Sequence, residues 1–174
     1  MGQPGVEVRE STIEGLGVFV ARDYGPGEHI RQVNIVREGT DDAPLREELG
    51  ELAKHCSYPS GKIILWGFPD RYVNHSCDPN AYAQEEGDGS KVVYVVARHS
   101  IPAGQEITFD YNVNLSGGSS WPCNCGSPRC LGETTGDYFR LPEGRQIEYL
   151  PLLAHWFVAK HREGIQSLRR RAAR

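Results

Sequence analysis

The chain has no long hydrophobic run, no surplus of positive charge and no pairing pattern among its cysteines, and each lack removes a class of protein. Its most apolar stretch, YLPLLAHWFVA at 149–159, is too short to span a bilayer and contains Pro151 and His155, so no membrane span is expected. The N-terminal MGQPGVEVRE lacks the apolar core of a secretory signal, which predicts a soluble, intracellular protein, cytoplasmic or, in a eukaryotic host, nuclear. Lys and Arg number 19 against 23 Asp and Glu, a net charge of −4. That is not the basic excess of a protein that grips phosphate backbones, so no direct contact with nucleic acid is expected.

The five cysteines do not form a disulfide framework. Cys123, Cys125 and Cys130 fall close together while Cys56 and Cys77 stand apart, and a Cys-x-Cys pair is too crowded for an easy bridge. The spacing points to thiolates gathered on zinc, with spare or redox thiols as the alternative. On chemistry alone, Cys56 and Cys77 compete for a fourth ligand position.

What is present describes one domain. A chain of 174 residues with 39% hydrophobic content suffices for one ordinary core. Twenty glycines and eleven prolines separate short runs rich in Val, Ile, Phe and Tyr, the pattern of a mainly β protein. Strands are predicted at 17–21, 30–36, 62–68, 91–98 and 106–111, with a hairpin turn around Gly87 and Gly89. Pro44 and the spacing of Leu45, Leu49 and Leu52 predict a short amphipathic helix over 44–55. Two further helices are predicted at 143–150 and 152–168, broken near Pro151, with Leu152, Leu153, Trp156 and Phe157 as an apolar face that reads as core packing. The closing Arg169, Arg170, Arg171 and Arg174 read as a solvated helix end or an anion-binding tag. Residues 1–154 carry 13 basic against 22 acidic side chains (−9) and residues 155–174 carry 6 against 1 (+5), so an acidic body suits a basic partner.

Two segments concentrate chemistry. Gly15-Leu16-Gly17 lets backbone approach a ligand closely or simply makes a tight turn; a β-like run and Gly25-Pro26-Gly27 follow where a dinucleotide fold would begin a helix, so that fold is excluded. Arg71-Tyr72-Val73-Asn74-His75-Ser76-Cys77-Asp78-Pro79-Asn80 packs polar groups between apolar strands, where they must satisfy one another or hold a polar ligand.

With Glu106-Ile107-Thr108-Phe109-Asp110-Tyr111-Asn112 and the cysteine cluster, these motifs resemble, in the same order over about residues 6–132, a SET-domain protein-lysine N-methyltransferase with a post-SET zinc segment. The resemblance implies a β-clip fold of small curved sheets in which the Asn-His-Ser-Cys segment and the Tyr111 segment interlace as a pseudoknot. It implies a SET domain at 6–115, a post-SET zinc-binding segment at 116–135 and a C-terminal helical extension at 136–174. No cysteine-rich pre-SET module precedes residue 6, which implies a minimal, stand-alone type. The implied partner is a protein substrate presenting a lysine, such as a histone or histone-like protein, and the implied cofactors are S-adenosylmethionine and one structural Zn2+. Catalytic roles fall by resemblance to Tyr111, to Tyr58 as a second aromatic, and to Phe109, whose position sets how many methyl groups fit and implies di- or trimethylation. Gly15, Leu16, Gly17, Arg71, Asn74, His75, Tyr111 and Leu131 correspond to cofactor contacts, and Cys77, Cys123, Cys125 and Cys130 to the zinc ligands. An inactive SET-like binding module, or a β-clip protein of the antifreeze or SAF type, are the alternatives.

Overall fold

A computed structural model describes residues 5–87 and 92–174 of the chain. Its architecture is five small sheets and a helical C-terminal segment. Strands β1 (Val6–Glu10) and β2 (Leu16–Val20) form an antiparallel pair. Gly15 turns the chain between them with φ +51°, a conformation that costs glycine little. A second sheet orders β3 (His29–Gln32), β9 (Val93–Ala97) and β8 (Ala81–Glu85), and a third orders β4 (Ile35–Gly39), β6 (Ile63–Trp66) and β5 (Cys56–Ser57). Two short pairs complete the set: β7 (Asn74–His75) runs parallel to β10 (Thr108–Phe109), and β11 (Trp121–Pro122) antiparallel to β12 (Glu133–Thr134). Helices α1 (Glu143–Tyr149), α2 (His155–Lys160) and α3 (Arg162–Ala172) follow. None of the described helices is long and apolar enough to cross a membrane.

The expected strand at 30–36 divides at Val33 and Asn34 between two sheets. Asp70 explains the corner: its buried carboxylate accepts the Asn34 N–H at 2.8 Å and meets Arg31 Nε at 2.8 Å. Residues 44–55 do not form the expected helix but two short turns, Glu47–Leu49 and Ala53–His55. Gly50 ends the first in a left-handed conformation, and Leu49, meant for the apolar face, is exposed. What organises the segment is the buried Glu51, whose carboxylate is clasped by Arg37 and by Arg46 at 2.6 Å. The hairpin joining β8 to β9 is present as a paired register from Ala81↔Ala97 to Glu85↔Val93, while its expected turn at Gly89 lies outside the described residues. The expected helix at 152–168 starts at His155 and breaks at His161, whose imidazole packs on Phe157 and Phe139.

Two cores hold these pieces together. Val18, Val20, Val95, Ile101 and Ile107 are fully buried among the sheets, and Tyr138, Tyr149, Phe157, Ile165 and Leu168 are buried in the C-terminal segment. The segment predicted as strand 106–111 changes partner along its length. Ile107 N–H donates to the Val18 carbonyl of β2 at 2.7 Å, and the next two residues pair with β7. That change of partner lays the Asn-His-Ser-Cys segment beside the segment that ends in Tyr111.

Candidate active site and metal centre

The floor of the site is the pair β7 and β10, with Asn74 opposite Thr108 and His75 opposite Phe109. Tyr111 lies just beyond it. Its backbone N–H donates to His75 Nδ1 at 3.1 Å, and the two rings tilt together at 5.3 Å. Burial lowers the pKa of His75 against the opposing pull of Asp110, so the imidazole is neutral. With Nδ1 accepting, Nε2 carries the proton and faces Cys77 Sγ at 3.4 Å. The Tyr111 hydroxyl donates to the Val73 carbonyl at 2.6 Å. Burial, then the nearby Glu14 and Glu106, push its ionisation far above the ordinary tyrosine range, so it stays protonated.

Tyr111 opens onto a cleft of about 1480 Å³. Of the residues singled out in the sequence, Gly15, Leu16, Tyr58, Arg71, Asn74 and Phe109 also line it. Gly17, His75 and Leu131 do not. Gly17 is glycine for a packing reason: a Cβ there would sit 2.3 Å from Glu106 Oε1. Glu106, which the sequence reading left without a role, is the hub of this corner. It accepts from Ser11 Oγ at 2.8 and 2.9 Å and from Asn74 Nδ2 at 2.8 Å, while the same amide donates to the carbonyls of Glu14 and Leu16 at 3.1 and 3.0 Å. Asn74 therefore fixes the 14–16 turn at the cleft edge. Tyr58 Oη donates to the Ala53 carbonyl at 3.0 Å, and the Phe109 ring stands edge-on to Trp66 at 6.2 Å. Arg71 has a buried Nε–H with no hydrogen-bond partner among the described residues, an unsatisfied donor in a residue on the cleft wall.

Behind the floor, the sulfurs of Cys77, Cys123, Cys125 and Cys130 all lie within 4.8 Å of one another. The Cys77–Cys123 separation is 3.8 Å. A tetrahedron with metal–sulfur bonds of about 2.3 Å has edges of about 3.8 Å, so the cluster could hold one zinc ion. Cys56 is not part of it and lines the cleft instead. Backbone N–H groups point at the sulfurs: Leu131 to Cys77 at 3.4 Å, Cys77 to Cys125 at 3.5 Å and Gly132 to Cys130 at 3.3 Å. Burial pushes the Cys77 thiol up and that of Cys123 up to about 11. At Cys125 burial is outweighed by the N–H donors of Cys77 and Ser127, and its pKa falls to about 7. Four adjacent thiolates need a cation to coexist, and this donor set suits a closed, structural zinc site. Leu131 rides on this cluster rather than on the cleft.

Glu148 on α1 ties the cluster to the sheets. Its carboxylate takes Arg98, which follows β9, and Arg129, within the cysteine loop, at 2.5 Å; Arg129 also reaches Asp78 at 3.0 Å. The sequence reading also missed the far wall of the cleft, made by Leu152, Ala154 and Trp156 of the C-terminal segment. Apolar patterning marked Leu152 and Trp156, but it does not separate a face turned to a core from one turned to a cleft.

Comparison with known proteins places this geometry. The SET domain family model matches residues 15–112. Among curated relatives, a histone-lysine N-methyltransferase, H3 lysine-36 specific, from Candida albicans is 45% identical over 137 residues, covering 72% of this chain and 16% of that protein. Its namesake from Debaryomyces hansenii is 44% identical over 161 residues, covering 80% of this chain and 21% of that protein. The chain thus spans about a fifth or less of the length of these relatives. A crystal structure of a Plasmodium falciparum protein assigned as a histone methyltransferase superposes with a TM-score of 0.50 at 24% identity, covering 68% of this chain and 97% of that one, a likeness of fold.

Proposed function

The chain belongs to the SET-domain family, and from that premise we propose that it transfers methyl groups from S-adenosylmethionine to the side-chain amine of a lysine in a protein substrate. The observation that carries this reading is Tyr111. Its hydroxyl is kept protonated by burial and aimed by its bond to the Val73 carbonyl, at the edge of a cleft that also holds Phe109. Such a group orients a reacting amine and does not act as a base.

S-adenosylmethionine would supply the electrophilic methyl group. The residues present fit it: the unsatisfied Arg71 Nε–H suits a carboxylate, and Asn74 holds the Gly15–Leu16 turn open as a main-chain edge. His75 and Gly17 act as positioning residues, His75 through the Tyr111 backbone and Gly17 by admitting the Glu106 carboxylate. The lysine amine must be neutral to react. At pH 7 only about one free lysine in 2,500 is neutral, and the apolar surroundings of Phe109, Trp66 and Tyr58 disfavour its charged form. Phe109 leaves space beside Tyr111 for a methylated amine to turn, which favours the di- or trimethyl state. One zinc ion on Cys77, Cys123, Cys125 and Cys130 would fix the 116–135 segment, with Leu131, against the 6–115 domain.

The substrate is a histone or a similarly basic protein. The −9 charge of residues 1–154 and the H3 lysine-36 specificity of the fungal relatives support this, and a nuclear location follows from it. Incubation with methyl-labelled S-adenosylmethionine, histones and a cell extract, followed by mass spectrometric location of the label, tests the proposal. Label on a lysine supports it; cofactor binding without transfer would leave the inactive-module alternative.

A further inference from the structure

The apolar stripe of the C-terminal segment faces two ways. Leu153 and Phe157 are buried in its core. Leu152, Ala154 and Trp156 stay half-buried and line the cleft. Trp156 Nε1–H donates to Glu85 Oε1 at 3.0 Å, which sets the indole at the end of β8. Ala83 and Val93, from β8 and β9, line the cleft as well. The Ala154 N–H at the start of α2 donates to Asn114 Oδ1 at 2.8 Å. Asn114 itself lies just beyond Tyr111 and holds φ +63°, a left-handed conformation that asparagine tolerates better than most residues. The wall is therefore tied by a direct bond to the loop that carries Tyr111. From α2 it also approaches the Pro59–Gly61 turn that follows Tyr58.

The chemistry of this wall is selective. The indole has one hydrogen-bond donor, and Glu85 takes it, so Leu152, Ala154 and the Trp156 ring offer carbon surface. An aliphatic side chain seated there gains burial against this carbon surface, whereas a polar one gains no partner from these three wall side chains. The wall also stands on the β8–β9 sheet, whereas the groups assigned to the cofactor stand at β2, β7 and Arg71.

We infer that Leu152, Ala154 and Trp156 form a specificity wall that seats an aliphatic side chain flanking the target lysine, with Asn114 setting its distance from Tyr111. The inference rests on the lysine-methyl-transfer reading and adds to it a substrate preference and a role for the C-terminal helices.

The test is a lysine-centred peptide library in which each flanking position is varied, with KM and kcat measured separately. The wild type is expected to prefer Leu, Ile or Val at one flanking position. Trp156→Ala should raise KM for the preferred peptide about 10-fold, the usual scale for losing one apolar contact in a pocket, and should flatten the preference while cofactor affinity is unchanged. Trp156→Phe, which keeps a ring, should restore most of the preference. If Trp156→Ala folds poorly, Leu152→Ser makes the same test from the neighbouring position. Unchanged KM and unchanged preference overturn the inference, and so does a parallel loss of cofactor affinity and thermal stability, which would mark the wall as core packing only. If no peptide is methylated, the functional reading fails by itself. Fluorescence anisotropy with the same peptides then still decides the wall, since Trp156→Ala must weaken binding of the aliphatic ones.

Discussion

Deleting the Tyr111 hydroxyl separates the cost to the fold from the cost to the chemistry. Tyr111→Phe keeps the ring and its 5.3 Å contact with His75, and the backbone bond to His75 Nδ1 is untouched. What goes is the 2.6 Å hydrogen bond to the Val73 carbonyl, in a residue only 5% exposed. A lost hydrogen bond that leaves a buried acceptor costs about 1–3 kcal/mol. At about 2–4 °C per kcal/mol for a chain of this size, melting should fall by roughly 2–12 °C, and most molecules remain folded. Turnover should fall much further, by about 100- to 1000-fold, the scale for removing one oriented polar group from a reacting centre. The assay pairs initial rates of labelled methyl transfer with calorimetric binding of S-adenosylmethionine and a melting curve. Because burial keeps the hydroxyl protonated, the wild-type rate should show no break from tyrosine ionisation through the neutral and mildly alkaline range. Activity within about threefold of wild type would refute the role given to Tyr111, and so would a loss that merely tracks lost cofactor binding.

Three further outcomes are expected. Zinc analysis should give one ion per chain, lost in Cys77→Ser and kept in Cys56→Ser; the reverse pattern would overturn the ligand set, and chelation should loosen the 116–135 segment to proteolysis. Phe109→Tyr should place a hydroxyl at the cleft beside Trp66 and shift products toward monomethyl-lysine in a timed reaction read by mass spectrometry, and an unchanged product distribution would exclude control by this position. Glu148 should make stability depend on acid: Arg129 and Arg98 hold its carboxyl down to about 2 despite partial burial. Since that lies below the ordinary carboxylate range, the stabilisation is present above about pH 4.5 and fades as pH falls toward 2. The melting gap between wild type and Glu148→Gln should therefore be widest above pH 5 and close on acidification; a gap independent of pH would refute the clamp.

Local chemistry made much of this molecule legible. Short runs rich in Val, Ile, Phe and Tyr between turn residues located the strands around Val18, Ile64 and Val95, and the cysteine spacing pointed to a metal cluster. The motifs singled out Gly15, Asn74, Phe109 and Tyr111, and the family resemblance added Tyr58; the fold brings all five to one cleft. Long-range pairing was not legible in composition or periodicity: nothing local to Thr108 says that its neighbour is Asn74. The segment at 44–55 misled because leucine spacing is a helix signal only if no residue within it is needed elsewhere. Here Glu51 is held by two arginines and Gly50 turns the chain away. Trp156 shows the remaining blind spot, since an apolar residue on a helix reads the same whether it faces a core or a ligand.

The parallel contact between β7 and β10 also sets an order of assembly. During synthesis Asn74 and Cys77 emerge long before Glu106, Thr108 and the later cysteines, so their partners do not yet exist. The β8–β9 hairpin can close locally in that interval, and once closed it shortens the loop that the parallel pair must bridge. Competence is thus a late event, acquired when residues on both sides of the hairpin have met. A lesion between residues 74 and 130 that slows this closure without touching the cleft or the cysteine cluster would lower the yield of working molecules while leaving unchanged the turnover of those that finish.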